Sequence, residues 1–148
     1  MKTFTHRFTV AAPLAAVADF HRRPASMGQI TPPPIIARVH SAPTIFAEGD
    51  EMAFTLWMGP LPLRWRARFE DVGPNGFLDR QIAGPFQRWE HRHSFRALDA
   101  HHTEVQDSIT AEFKRHPFWR LVGWGMWIGL PLLFAFRGWK THRLLANR

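Results

Sequence analysis

Six strand-like runs follow one another through the middle of the sequence, with Gly, Pro or Asn between several of them. In the clearest run, residues 63–72, the apolar Leu63, Trp65 and Phe69 alternate with arginines. Side chains alternate between the two faces of a strand, so this pattern predicts a sheet with one apolar and one charged face. Consecutive strands joined by short turns pair as an antiparallel meander. The six runs are 35–41, 46–58, 63–72, 77–82, 86–98 and 103–113.

The residues before this meander predict one more strand and two short helices. Residues 3–11 alternate between apolar and polar side chains, as expected for a strand. An Ala-rich stretch at 12–20 predicts a helix, and a second helical turn is predicted at 24–30. The three prolines at 32–34 end this region, because proline cannot continue a helix and favours an extended chain.

An uncharged segment, residues 121–136, follows the predicted sheet and has Lys and Arg on both sides. It is shorter than the roughly 20 apolar residues of a membrane-spanning helix, and it contains Gly and Pro. The apolar face of the sheet needs a cover, so the favoured interpretation is a helix buried against the sheet. Contact with a membrane and a true membrane span are the alternatives. The glycines would let a bulky ligand approach this helix closely.

These elements predict an α+β fold, with an antiparallel sheet of six to seven strands packed against a long C-terminal helix. The length of 148 residues predicts a single domain, residues 1–148. The absence of cysteine excludes disulfides and thiolate chemistry. The N-terminus has no apolar signal segment, which favours a cytoplasmic protein. The net charge of +7 fits attraction to anionic lipid or nucleic acid, or a general contribution to solubility.

Several ionisable side chains share the apolar face of the predicted sheet. In the run 86–98, His91 and His93 have the same parity as Trp89 and Phe95, so these imidazoles should point inward. By the same count, neighbouring strands add further polar residues to this face. They are Asp79, Gln81 and Asp107. We therefore expect a cluster of polar side chains on the concave side of the sheet.

Buried ionisable groups are costly unless they are paired, and four interpretations of this cluster remain open. Two acids beside two imidazoles can form a purely structural network. The same groups could orient a ligand in an apolar chamber, or a histidine with a shifted pKa could act as general acid or base. A metal site is the weakest interpretation, because His-x-His has no third ligand at a diagnostic spacing. We therefore expect no metal and no cofactor.

Arginines occupy the opposite face of the predicted sheet. This surface is either a solvated sheet face or a docking surface for anionic lipid. Nucleic acid is not an expected partner, because the aromatic residues that could stack on bases fall on the other face of the same strands. The arginines are Arg64, Arg66, Arg68, Arg80, Arg88, Arg92 and Arg96.

Four stretches of the chain resemble one known superfamily. The most specific is FLDRQIAGPF at 77–86, which continues through Trp89, His91, His93 and Phe95 to Thr103 and Asp107. The others are residues 4–20, ITPP at 30–33 and FAFR at 134–137. In these stretches the chain resembles the START-like superfamily (SRPBCC, Bet v 1-like), and within it the bacterial proteins described as polyketide cyclase/dehydrase or ligand-binding SRPBCC proteins.

The resemblance implies a helix-grip fold, in which a curved antiparallel sheet grips the C-terminal helix and leaves a cavity between them. Members bind lipids, sterols, polyketides or other apolar molecules, and some catalyse cyclisation or dehydration. The resemblance provides no catalytic set for this chain. The Trp-rich and Gly-rich closing helix departs from a typical member, and this departure could enlarge the cavity or turn the helix toward a membrane.

Three hypotheses for the function follow. The leading one is a non-enzymatic binder of a hydrophobic molecule such as a lipid, sterol or polyketide-like compound. The second is a cyclase/dehydrase-type enzyme that uses His91 or His93 as acid–base group and Asp79 or Asp107 as orienting group. The third is an accessory protein at the periphery of an anionic membrane. The predicted ligand-binding residues are Met52, Phe54, Trp65, Phe69, Asp79, Gln81, Trp89, His91, His93, Asp107, Trp124 and Ile128.

Overall fold

A computed structural model describes residues 1–146, which form a seven-stranded antiparallel sheet, two short helices and one long helix. The order of strands in the sheet is β1-β7-β6-β5-β4-β3-β2, so the first strand pairs with the last and the other strands follow as a meander. This arrangement confirms the predicted helix-grip fold. The elements are β1 (Lys2–Val10), α1 (Leu14–His21), α2 (Ala25–Gln29), β2 (Ile36–Ser41), β3 (Glu51–Met58), β4 (Leu61–Gly73), β5 (Gly76–Ala83), β6 (Arg88–Ala97), β7 (Thr103–Glu112) and α3 (Pro117–Ala146).

The alternation in the sequence sets the two faces of the sheet. In β4 the apolar side chains Leu63, Trp65 and Phe69 are buried, and the arginines between them are exposed. The turn into β5 ends at Gly76, where φ is +140° and a Cβ atom would lie 2.0 Å from the carbonyl oxygen of His93. Only glycine fits this close approach of the β5 and β6 backbones, so the start of the β5–β6 pairing depends on that residue.

The predicted strand at 46–58 is shorter in the structure, because its first residues form a turn. The carboxylate of Asp50 accepts a hydrogen bond from the backbone N–H of Ala47 at 2.8 Å, and Gly49 has a φ of +82°. Phe46 leaves the sheet and stacks on Phe69, with ring centroids 3.7 Å apart. Phe46 is therefore buried beneath the sheet from a loop position, and it is not part of strand β3.

The long helix α3 is buried on one face only. Its inner face packs on the sheet through residues that include Gly123, Leu130 and Phe134. On the opposite face Leu121, Ile128 and Leu132 are 72%, 72% and 80% exposed. By length and composition alone, α3 could cross a membrane. Of its most apolar stretch of 18 residues, 22% is buried in the structure. The expectation of a buried helix is thus correct for the inner face and wrong for the outer face.

The outer face of the sheet is an array of ion pairs. Arg80 lies between Glu70 and Glu90, and Arg92 contacts Asp71 at 3.0 Å. Arg66, Arg68, Arg88 and Arg96 also contact carboxylates. Carboxylates therefore neutralise much of the predicted basic surface. The indole of Trp57, on the neighbouring strand β3, is partly exposed beside Arg64 and Arg66. The aromatic residues of the arginine-bearing strands themselves are buried on the other face of the sheet, as with Trp65, Phe69 and Trp89.

Candidate functional site

A cavity of about 160 Å³ lies between the sheet and α3. Strands β3, β4 and β6 provide Phe54, Trp65 and Trp89, and α3 provides the opposite wall. The lining is mostly apolar, which is typical of a binding site for a small hydrophobic molecule. The remaining lining residues are Met27, Thr31, Ile35, Leu56, Met58, Asp79, His91, Gly125, Met126, Gly129, Leu130, Leu133, Phe134 and Arg137. We call this space the main cavity.

A second, smaller cavity of about 80 Å³ lies on the side of α1 and α2. It is lined by Met52 and Phe69 of the sheet and by residues of the two short helices. Asp79, His91 and Arg137 line both cavities. These three polar side chains therefore form a shared wall between two largely apolar spaces, and we call them the polar wall.

The pairing of strands brings the Asp79 and His91 side chains of the polar wall together. Asp79 of β5 lies directly opposite His91 of β6, and His93 lies opposite Asp107 of β7. The Nε2 atom of His91 and the Oδ1 atom of Asp107 are 2.8 Å apart and form a buried hydrogen bond. His93 Nδ1 lies 3.2 Å from the same oxygen without the alignment of a hydrogen bond, and its ring stacks on His91 with centroids 3.8 Å apart.

The surroundings shift the pKa values of these groups in opposite directions. Burial raises the pKa of the Asp79 carboxyl to about 6, although His93 and Arg137 partly oppose this effect. Burial lowers the pKa of His91 and that of His93, which favours neutral imidazoles. Burial alone would raise the pKa of Asp107, but the contacts with His91 and His93 hold it well below the usual range. At neutral pH, His91 is a neutral imidazole that donates from Nε2 to a carboxylate and has its lone pair on Nδ1.

Arg137 is the functional candidate that the sequence analysis missed. The uncharged segment 121–136 ends just before it, so in the sequence Arg137 looks like one of the basic residues that flank this segment. A helix repeats every 3.6 residues, and this period places Arg137 on the same face as the buried Leu130 and Phe134. Its guanidinium group lies over the ring of Phe134, 5.4 Å from the centroid, and burial lowers its pKa. The helical period is the signal that could have identified it.

His21 is a second residue that the sequence analysis missed. It lies at the end of α1, and its Nδ1 atom is 2.8 Å from the carbonyl oxygen of Val17. Its ring centroid is 6.1 Å from that of His93, and burial lowers the pKa of His21 to about 4. No periodic pattern in the sequence points this side chain toward the smaller cavity.

The structure divides the twelve predicted binding residues into four groups, of which three lie in or beside the cavities. Five line the main cavity, and Met52, Phe69 and His93 line the smaller one. Asp107 lies behind His91, which it contacts. The five residues in the main cavity are Phe54, Trp65, Asp79, Trp89 and His91.

Three further predicted binding residues also lie outside both cavities, and none of them contacts His91 as Asp107 does. The side chain of Gln81 bridges the β5–β6 turn, accepting from the backbone N–H of Phe86 and donating to its carbonyl oxygen at 2.8 Å. Ile128 points to solvent from the outer face of α3. Trp124 packs against Phe113, with ring centroids 4.9 Å apart, and contacts the amino group of Lys2. None of these three side chains therefore lines a cavity, contrary to the placement expected from the sequence. Gln81 is held by the turn, and Trp124 and Ile128 lie on the side of α3 that faces away from the cavities.

Asp79, His91 and His93 have potential ligand atoms that lie within 4.8 Å of one another, as a metal site requires. The guanidinium group of Arg137 lines the same wall and interacts electrostatically with Asp79 and His91. A buried cation at this position repels a divalent metal ion. The charge balance of the site is therefore better suited to an organic ligand than to a metal.

Solved structures with the same architecture identify the fold class. A START superfamily protein from Mycobacterium smegmatis superimposes with a TM-score of 0.68 at 13% identity, over 96% of this chain and 98% of the other. Norcoclaurine synthase from Thalictrum flavum, in complex with dopamine and hydroxybenzaldehyde, superimposes with a TM-score of 0.69 at 14% identity, over 99% and 87%. The chain therefore has the START-like (SRPBCC, Bet v 1-like) fold.

The same fold also occurs as one part of a longer enzyme chain. A nucleoside-diphosphate sugar epimerase from Corynebacterium glutamicum matches with a TM-score of 0.66 at 25% identity. The match covers 95% of this chain but only 28% of the epimerase chain. No protein-family model matches the sequence, and neither does any curated protein.

Proposed function

We propose that residues 1–148 form a single ligand-binding domain, whose function is to bind a small hydrophobic molecule in the main cavity. The observation that carries this proposal is an apolar chamber with polar groups gathered at the polar wall. Pockets for small molecules have this composition, because apolar surface provides most of the affinity and a few polar groups orient the ligand. The START-like fold of the chain supports the same function.

The free polar atoms suggest the chemistry of the ligand. Within residues 1–146, neither Asp79 Oδ1 nor Arg137 Nε has a hydrogen-bond partner. Buried polar atoms in folded proteins are normally hydrogen-bonded, so a bound molecule is a suitable partner for both. A ligand hydroxyl group can donate to Asp79, and a carbonyl or carboxylate oxygen can accept from Arg137. We infer an apolar molecule with an oxygen-bearing group at one end.

The size of the cavity narrows the class of ligand further. An apolar cavity of about 150 Å³ accommodates benzene. The main cavity, at about 160 Å³, is therefore suited to a single ring or a short acyl chain, and a sterol requires the chamber to widen. Norcoclaurine synthase, which shares the fold, is in complex with two molecules of the single-ring size.

Native mass spectrometry of gently purified protein, with solvent extraction of the same sample, tests the proposal. We expect an additional mass that matches an extracted apolar molecule, or a saturable change in tryptophan fluorescence on addition of octanol, since Trp65 and Trp89 line the cavity. Leu133→Trp fills the cavity and should abolish both signals. Leu98→Trp, at an exposed position, is the matched control and should retain them. A bare protein mass together with no response to octanol contradicts the proposal.

An acid–base enzyme is the second candidate, because His91 contacts both the carboxylate of Asp107 and the open cavity. In a dehydration, His91 Nδ1 takes a proton from the carbon beside a carbonyl group, and the adjacent hydroxyl group leaves with a proton from the Asp79 carboxyl. The products are an unsaturated carbonyl compound and water. Proton transfer from His91 to Asp79 restores the starting state. The raised pKa of Asp79, about 6, makes its protonated form accessible near neutral pH.

Mass spectrometry of bound material separates the enzyme from the binder. His91→Gln keeps a polar side chain of similar size but removes the base. If the chain is a dehydratase, the molecule extracted from this variant should be heavier by one water than that from the unaltered protein. Identical extracted molecules from both proteins contradict the enzyme and leave the binder.

A further inference from the structure

We propose that the outer face of α3 docks on an anionic lipid bilayer and holds the mouth of the main cavity against the lipid. Entry of a ligand through this mouth rests on the proposed function, the binding of a hydrophobic molecule. The docking of α3 on lipid does not depend on that proposal. The outer face is defined by five residues that are at least partly exposed. They are Leu121, Trp124, Ile128, Leu132 and Trp139.

The outer face is a continuous apolar surface. Its residues follow one another at intervals of three, four or seven, which places them on one side of a helix. The stretch from residue 121 to residue 139 is about 27 Å long, at about 1.5 Å per residue. Arg137 is the only charged residue within this stretch, and it points inward to the polar wall. An exposed apolar surface of this extent, without charged groups, marks an interaction site.

The charges around this surface favour lipid as the partner. Arg115 and Arg120 are exposed at its N-terminal end, and Lys140 and Arg143 lie at its C-terminal end. α3 contains no Asp or Glu. Basic residues beside an apolar helix face are attracted to anionic headgroups, and tryptophan is enriched at the boundary between headgroups and acyl chains. A second copy of the chain is a poorer partner, because two such faces would bring like charges together.

The packing of α3 makes docking in the plane of the membrane the compatible arrangement. Gly123, Leu130 and Phe134 are buried against the sheet, and Thr141 is buried on the same face. The guanidinium group of Arg137 lies in the interior beside the carboxylates. A spanning orientation would strip these contacts from the helix, whereas an interfacial orientation leaves them intact and covers only the outer face.

Two glycines connect the docking surface with the cavity. Gly125 and Gly129 are exposed, yet both line the main cavity, so they mark its mouth at the edge of the outer face. A Cβ atom at either position would have no atom within 4 Å apart from its chain neighbours and the backbone of its own helix. Glycine within a helix costs about 1 kcal/mol relative to alanine, and packing against the described chain does not require it here. Because glycine has no side chain, these two positions leave an opening through which a lipid-derived molecule can enter.

Co-sedimentation of the purified full chain with phospholipid vesicles tests the docking. We expect salt-sensitive binding to vesicles of phosphatidylcholine mixed with phosphatidylglycerol, and weaker binding to phosphatidylcholine alone. The double variant Ile128→Glu, Leu132→Glu should lower the affinity by about tenfold or more for each side chain, because each loses apolar burial. The double variant Ile36→Glu, Leu98→Glu carries the same charge change at exposed apolar positions away from α3 and should bind normally.

Three results would overturn the docking: no binding to anionic vesicles at low salt, an equal loss in both double variants, or a dimer that depends on Ile128 and Leu132 without vesicle binding. Gly129→Leu separates the docking from the proposed cavity function. This variant should still bind vesicles but lose the response to octanol, because its side chain occupies the mouth. Vesicle binding by an unaltered protein that shows a bare mass and no response to octanol would refute the proposed function and leave the docking standing.

Discussion

Asp79 and His91 face each other across the β5–β6 ladder, and both side chains reach the main and the smaller cavity. A carboxyl group with a raised pKa thus lies beside a neutral imidazole, at the boundary of two apolar spaces. Together with Arg137 they are the groups available to orient a ligand or transfer a proton. The following predictions test this arrangement.

Asp79→Asn should stabilise the protein, and more so at higher pH. The folded pKa of about 6 lies above the value of 3.8 for an unperturbed Asp, so the folded state binds the proton more tightly than the unfolded state. This contribution to stability is complete below pH 3.8 and is lost as the pH rises through 6. The stability difference between variant and unaltered protein should therefore grow by roughly 1–2 kcal/mol from about pH 5 to about pH 8. Urea unfolding at both pH values measures it, and a pH-independent difference contradicts the assignment.

Asp107→Leu should destabilise the protein through His91. The variant leaves the buried Nε2–H of His91 without its acceptor, and a buried unsatisfied donor costs about 1–3 kcal/mol. Arg96→Ala is the control, because the ion pair of Arg96 with Glu104 on β7 is exposed at the arginine and should contribute less than about 1 kcal/mol. Urea unfolding of both variants gives the comparison. Equal losses would mean that the His91–Asp107 pair contributes no more than a surface contact.

Gly129→Ala should stabilise the protein by about 0.5–1 kcal/mol, because alanine reduces the entropy lost on helix formation and its Cβ meets nothing within 4 Å. Gly138→Ala is the comparison within the same helix. There a Cβ would lie 3.2 Å from the ring of Phe8 and 3.3 Å from that of His6, so the gain should be smaller. Thermal unfolding of the two variants gives both values. A less stable Gly129→Ala variant would show that the added methyl group is crowded at the mouth, which contradicts the structure.

Arg137→Met should change the preference of the main cavity for the head group of its ligand. Methionine keeps much of the apolar volume but removes the charged donor, so octanoate should lose about tenfold or more in affinity. Octanol has no carboxylate to pair with the guanidinium group, and its affinity should change much less. Calorimetric titration of both ligands at neutral pH provides the test. Parallel losses for octanoate and octanol would show that Arg137 acts through the shape of the cavity rather than by binding the head group.

The strands and most of their inward residues were predictable, because apolar and polar side chains alternate along a strand that has one buried face. Trp65, Trp89, His91 and Asp79 all reach the main cavity as their parity predicts. Gln81 has the same parity but lines neither cavity, because its side chain bonds the turn that follows, at Phe86. Parity identifies the side of the sheet, whereas the hydrogen-bond partner depends on the local turn.

For the helix α3, in contrast to the strands, the sequence did not indicate which residues face the sheet. Its segment 121–136 is apolar almost all round, so no polar stripe distinguishes the face toward the sheet from the face toward the outside. Trp124 and Ile128 were therefore placed in the cavity, although Gly125, Met126 and Leu133 provide the wall. Local alternation was enough to predict an antiparallel sheet covered by a long helix, and the family resemblance implied that the sheet is curved. The side of that helix that meets the sheet, and hence the position of Arg137 beside Asp79, depended on packing between elements far apart in the chain, which a uniform apolar segment does not encode.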